Sequence, residues 1–117
     1  MIKATNGKVV VGALAIRNKD TATAVAGAAT LSKQAGTVTT ETLTTAAGAE
    51  YTLTLTNTFV AAASVVMASV QNGDNTTAGA YVTSVTPAAG SVVIKVKNGH
   101  ASAALNGTLK IAFFVIP

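Results

Sequence analysis

The chain has no cysteine, no tryptophan, one histidine, two prolines and only five aromatic residues in 117 positions. Without cysteine there is no disulfide framework, no thiol catalysis and none of the common structural zinc sites. His100 lies in the turn-like run Asn98-Gly99-His100-Ala101-Ser102, with no carboxylate beside it. A Ser-His-Asp arrangement would need Glu41, Glu50 or Asp74 to approach it in space, and no nucleophile-elbow motif accompanies it. Glu41 and Glu50 are the pair to consider for glycoside cleavage. Glu41 reads as a solvent-facing charge in a Thr-rich strand, and Glu50 as the residue before a strand that opens at Tyr51. Asp74, in Asn72-Gly73-Asp74-Asn75, lacks the ligand spacing and terminal Glu of a calcium loop, and reads as a turn residue. No phosphate-cradling glycine motif occurs. The expectation is a protein that is not an enzyme and holds no metal or cofactor.

Long hydrophobic runs are missing too. Val9 to Ile16 is too short to span a bilayer, and the start lacks the apolar core of a signal peptide. A soluble chain without membrane contacts, made in the cytoplasm without a secretion signal, is expected.

Charge is sparse and segregated. Residues 1–33 carry Lys3, Lys8, Arg17, Lys19 and Lys33 against Asp20, a net +4. Residues 34–94 have no Lys or Arg, only Glu41, Glu50 and Asp74, a net −3. Residues 95–117 add Lys95, Lys97 and Lys110. This is too dilute, and too poor in stacking aromatics, for a nucleic-acid footprint.

What the chain does contain is 24 Ala and 19 Thr within a composition that is 50% hydrophobic. Burial stabilises by about 25 cal/mol per Å² of apolar surface, so a core of small side chains is thin. Such a fold gains by oligomerising.

Two parts are distinguished along the chain. Residues 1–28 read as an N-terminal arm or edge segment, or as an ordinary first strand and loop. Residues 29–117 read as a β body. Tyr51 to Thr56 alternates strictly, with Tyr51, Leu53 and Leu55 on one face and three Thr on the other. Tyr81–Thr86 and Ser91–Lys97 flank Pro87-Ala88-Ala89-Gly90, a hairpin pattern with a four-residue loop. Thr37–Thr40, Ser64–Val70 and Thr108–Ile116 are further strands, with Gln71 to Asn75, Asn98-Gly99 and Asn106-Gly107 as turns. Phe59–Ala63 could supply a turn of helix, and nothing longer has a helical period. Regular strands with turn punctuation predict an all-β protein, an antiparallel β-sandwich or jelly roll. Thr-x-Thr recurs at Thr21/Thr23, Thr37/Thr39 and Thr52/Thr54/Thr56. Ice-binding arrays need such pairs stacked along a solenoid, and no repeat period exists, so these read as solvated sheet faces.

Some strands are apolar on both faces. One face meets the core, and the other needs cover, from a second layer of the same chain or from a neighbouring subunit. Val66, Phe114 and Ile116 are the expected self-association residues.

The run Ala29 to Asn57, and the closing stretch Asn106 to Ile116, resemble small virion proteins of tailed bacteriophages. The resemblance covers residues 29–117 and rests on composition and strand rhythm. It implies a homotrimeric β-sandwich or jelly-roll body, serving as a capsid decoration (cement) protein on the outer capsid surface, or as a fibre or host-surface glycan-binding module. For a decoration protein the partner is the major capsid protein, and Lys3, Lys8, Arg17 and Lys19 are the expected contacts.

Overall fold

A computed structural model of the chain describes Ala4–Thr5, Lys8–Val9 and residues 19–117. Ala4–Thr5 (β1) and Lys8–Val9 (β2) pair antiparallel. The body contains β3 (Lys19–Thr23), β4 (Ala28–Thr30), β5 (Ala35–Thr39), β6 (Glu50–Thr56), β7 (Val65–Asn72), β8 (Ala80–Ala88), β9 (Ser91–Asn98) and β10 (Leu109–Ile116). They form two four-stranded sheets, ordered β3-β5-β10-β7 and β4-β6-β9-β8. No described residue is helical, and Phe59–Ala63 forms turns.

The two sheets share one core, as the layers of a β-sandwich do. Val38, Leu109, Ile111, Phe113 and Val115 come from the first sheet, and Leu53, Leu55, Val92, Ile94 and Val96 from the second. Leu31, Leu43, Val60 and Leu105 close its ends from the connections. Alternation explains the choice. β6 has the pattern exposed, buried, exposed throughout, with every Thr outside. β9 buries Val92, Ile94, Val96 and Asn98 completely.

The sheets are mixed, where the sequence pattern predicts purely antiparallel ones. β3 pairs parallel with β5, and β4 parallel with β6. After β3, β4 and β5 the chain crosses to the other sheet, so a strand returns to its own sheet two elements later and in the same direction. A parallel pair needs such a crossover. β4 contains residues 28–30, so the boundary read between 28 and 29 falls inside a strand. The β8–β9 loop is also tighter than read. Pro87 pairs with Val92 and Ala88 with Ser91, leaving two residues, Ala89-Gly90, with Gly90 at φ +78°. Pro87 is tolerated because β8 is an edge strand.

Three buried asparagines organise the loops. Asn57 donates to Lys33 O at 2.7 Å and accepts from Phe59 N–H at 2.9 Å. Asn75 donates to Asn72 Oδ1 at 2.8 Å and Thr77 O at 2.9 Å, and accepts from Asn106 N–H at 2.9 Å. Asn98 donates to Thr45 O at 3.0 Å and Ala103 O at 2.9 Å, and accepts from His100 N–H at 3.0 Å. Among the described residues every buried side-chain nitrogen and oxygen has a partner.

A second two-residue turn joins Val25 to Ala28, whose backbones exchange bonds of 2.9 and 3.0 Å. Its central residues, Ala26 and Gly27, have φ of +50° and +77°, the type I′ signature. Ala is a poor occupant of the left-handed region, and Asn a good one. Ala26→Asn is expected to raise unfolding free energy by about 0.5–1 kcal/mol, measured by urea titration. No gain would mean that the turn relaxes without strain.

Candidate functional site

The outer face of the first sheet is set by the β10 register. Leu109, Ile111, Phe113 and Val115 point into the core, so Lys110, Ala112, Phe114 and Ile116 point out. Directly opposed residues share a face. Across β7 these pairs are Lys110 with Gln71, Ala112 with Ser69, Phe114 with Met67 and Ile116 with Val65. On the other side Ala35, Thr37 and Thr39 of β5 oppose Phe114, Ala112 and Lys110. Lys19, Thr21 and Thr23 of β3 lie beyond them.

That face is divided. Val65, Met67, Phe114 and Ile116 form an apolar corner, with Val65 and Met67 each 54% exposed and Ile116 51%. Continuous with it is a shallow groove of about 250 Å³, lined by Met67, Ala68, Ser69, Ala112, Phe113 and Phe114. The opposite corner is polar, with Thr21, Thr23, Thr37, Thr39, Lys110 and Gln71. The Thr-x-Thr pairs of β3 and β5 stand in parallel register there, Thr21 beside Thr37 and Thr23 beside Thr39. Ala112 and Lys110 end that array after two strands.

The structure therefore brings together Phe114 and Ile116 but removes Val66 from their company. Val66 pairs with Val115, which is wholly buried, and packs against the core. Its neighbours Val65 and Met67 are the outward residues. Of the four basic residues expected at a partner, Lys19 is exposed at the start of β3 and Lys8 lies in β2. Lys3 and Arg17 lie outside the described residues.

Glu41 and Asp74 serve the turns. Glu41 is not a free surface charge. Its carboxylate accepts from Tyr51 Oη at 2.7 Å and from Gly27 N–H at 2.6 Å, pinning the Ala26-Gly27 turn to β6. Burial pushes the Glu41 carboxyl up, but the bonds from Tyr51, its own amide and Gly27 outweigh it and hold it below its ordinary value of 4.5. Burial, then the hydrogen bond and charge of Glu41, push the Tyr51 phenol above its ordinary range. Asp74 accepts from Thr108 N–H at 2.5 Å and Thr108 Oγ1 at 2.9 Å, and these bonds lower its carboxyl. Glu50 accepts from Thr83 Oγ1 at 2.5 Å. His100 Nδ1 accepts from the amides of Ser102 and Ala103 at 3.1 and 2.9 Å, which places the proton of the neutral ring on Nε2. No three His, Asp or Glu side chains converge as metal ligands among the described residues. No described residue belongs to a helix long and apolar enough to cross a membrane.

A depressed carboxyl stabilises the fold above its ordinary value and loses that contribution as pH falls through the folded one. A raised phenol stabilises below about pH 10 and loses its contribution as pH rises through the folded value. Stability is therefore expected to fall below about pH 4.5 through Glu41 and Asp74, and again in strong alkali through Tyr51. Glu41→Gln should make the acid limb shallower in urea titrations from pH 3 to 7, about the range where carboxyls titrate. An unchanged limb would remove Glu41 from the account.

Comparison with models of protein families, with characterised proteins and with solved structures finds no match to this chain.

Proposed function

We propose that this protein is a capsid decoration (cement) protein, binding the outer surface of a tailed-phage head and stabilising it. The observation that carries the reading is the apolar corner Val65, Met67, Phe114 and Ile116, which no other part of the described chain covers. Such a surface suits a protein that works by association. The virion resemblance of residues 29–117 and the basic balance of residues 1–33 support it. The body is a β-sandwich of two mixed sheets, and the segment with Lys3, Lys8, Arg17 and Lys19 faces the major capsid protein. The mechanism is linkage, because a ligand that binds only the assembled shell stabilises that shell. Shells carrying the protein are expected to withstand heat and osmotic shock that open bare shells. Equal resistance of the two, together with no binding of the protein to bare shells, would remove this reading.

A second reading has one observation behind it. Tyr81 is 48% exposed at the start of β8, and its ring lies against Gly99, beside the His100 loop. An exposed aromatic platform with polar neighbours suits a sugar ring, as a fibre or host-surface module would need. Binding on a glycan array that Tyr81→Ala abolishes would favour it over decoration.

A further inference from the structure

The sandwich has four strand edges, and three of them carry features that discourage pairing. β8 has a bulge between Val82 and Ser84 and carries Pro87. β3 bears Lys19 and Asp20 in its five residues, and β4 is three residues long. Short edges, charges, prolines and bulges are the means by which sheets avoid edge-to-edge association. β7 has none of them. It is eight residues long, VVMASVQN, uncharged and regular, and paired on one side alone. Its free side runs along the apolar corner.

We infer that β7 pairs antiparallel with β7 of a second copy of this chain, across a two-fold axis at Met67. The pairing rests on the self-association reading above but changes its symmetry, since the resemblance implies a trimer. The pleat sets the axis on a residue and not between two, and Met67 is the residue that brings the two apolar corners together. Outward residues of the two copies share one face only when the paired numbers add to an even total. Val65, Met67 and Ser69 point out, and Val66, Ala68 and Val70 point in. An axis at Met67 sets Met67 against Met67, Val65 against Ser69 and Val66 against Ala68 of the partner. The two apolar corners then merge into one band across an eight-stranded sheet, and half-exposed Met67 and Val65 are covered from the side. Charge agrees with this choice of partner. β7 carries none, and the nearest cation on that face is Lys110, opposite Gln71. Gln71 is four residues from the axis, so the two Lys110 stand roughly 27 Å apart along the strands, well beyond screening range. No like charges meet.

The absence of cysteine makes the test direct. Met67→Cys should give a disulfide-linked dimer under mild oxidation, because opposed residues on an antiparallel pair lie within disulfide reach. Val65→Cys alone should not, since the two thiols stand about 14 Å apart. A mixture of Val65→Cys and Ser69→Cys chains should cross-link to each other. Light scattering should give twice the chain mass for the wild type and the single mass for Met67→Lys. Circular dichroism confirms that the Met67→Lys variant is folded. A folded wild-type monomer at 100 µM, a trimer, or Val65→Cys bridging as readily as Met67→Cys would each overturn the pairing. Shell binding is read separately. A monomer that still stabilises shells sinks the two-fold and spares the decoration reading, and a dimer that ignores shells does the reverse.

Discussion

Asn98→Ala is expected to lower unfolding free energy by about 2–4 kcal/mol. Asn98 is wholly buried at the end of β9. Its side chain holds Thr45 O, Ala103 O and the His100 amide, and its own amide and carbonyl hold Ala49 O and Gly48 N–H. One residue thus ties the 45–49 turn and the 98–103 loop to β9. Truncation leaves the Ala103 carbonyl and the His100 amide without partners, while Thr45 O keeps the Leu105 N–H; each orphan costs about 1–3 kcal/mol where water cannot reach it. Partial water entry trims the sum. Small domains have only about 5–15 kcal/mol in total, so the variant should melt roughly 10–20 °C lower. Asn98→Asp separates packing from bonding. It keeps the size and the acceptor but loses the donor and puts a charge against two carbonyl oxygens, so it should be at least as damaging. A loss under about 1 kcal/mol for either variant, by urea titration, would mean that the loops do not depend on this side chain.

Ile94→Ala should cost about 3–4 kcal/mol, with Ile94→Val near 1 kcal/mol. Ile94 lies mid-strand in β9, with Leu53 of β6 on one side and Val85 of β8 on the other, and has no exposure. Its flanking inward residues, Val92 and Val96, are β-branched and stiff at χ1. They cannot swing to fill the void, so the cavity cost adds to the transfer cost. The core has few large side chains from which to make up the difference: of its buried residues only Tyr51 and Phe113 are aromatic. Calorimetry or urea titration reads the loss. An Ala variant within 1 kcal/mol of the Val variant would show that the sheets close over the gap.

Much of the body is legible in the sequence, for a local reason. β6, β9 from Ile94 onward and the first half of β10 alternate apolar with polar residues, and alternation fixes both the strand and its inward face. β7 shows where that signal ends. In Val65-Val66-Met67-Ala68-Ser69-Val70 both faces are apolar, so period two has no phase. The inward set proves to be the smaller one, Val66, Ala68 and Val70, while Met67 points out. Only the register with β10 decides this. The parallel pairings of β3 and β4 were also invisible, because each depends on a partner strand beyond an intervening element of the other sheet. Asn57, Asn75 and Asn98 carry an ordinary turn signal, and nothing local announces that they are buried. Glu41 is ten residues from Tyr51 and fourteen from Gly27, with no motif linking them.

The weave of the chain has a consequence for how the molecule comes together. Among β3 to β10, only β8 and β9 follow one another within the same sheet, and every other connection crosses between layers. Neither layer can therefore be completed while the other is absent. The β8–β9 hairpin is the one pair of neighbours within a sheet, and the rest must be recruited across the layers, which places folding on the millisecond-to-second scale typical of non-local β topologies. A half-assembled sandwich with one finished sheet is not a stopping point for this chain.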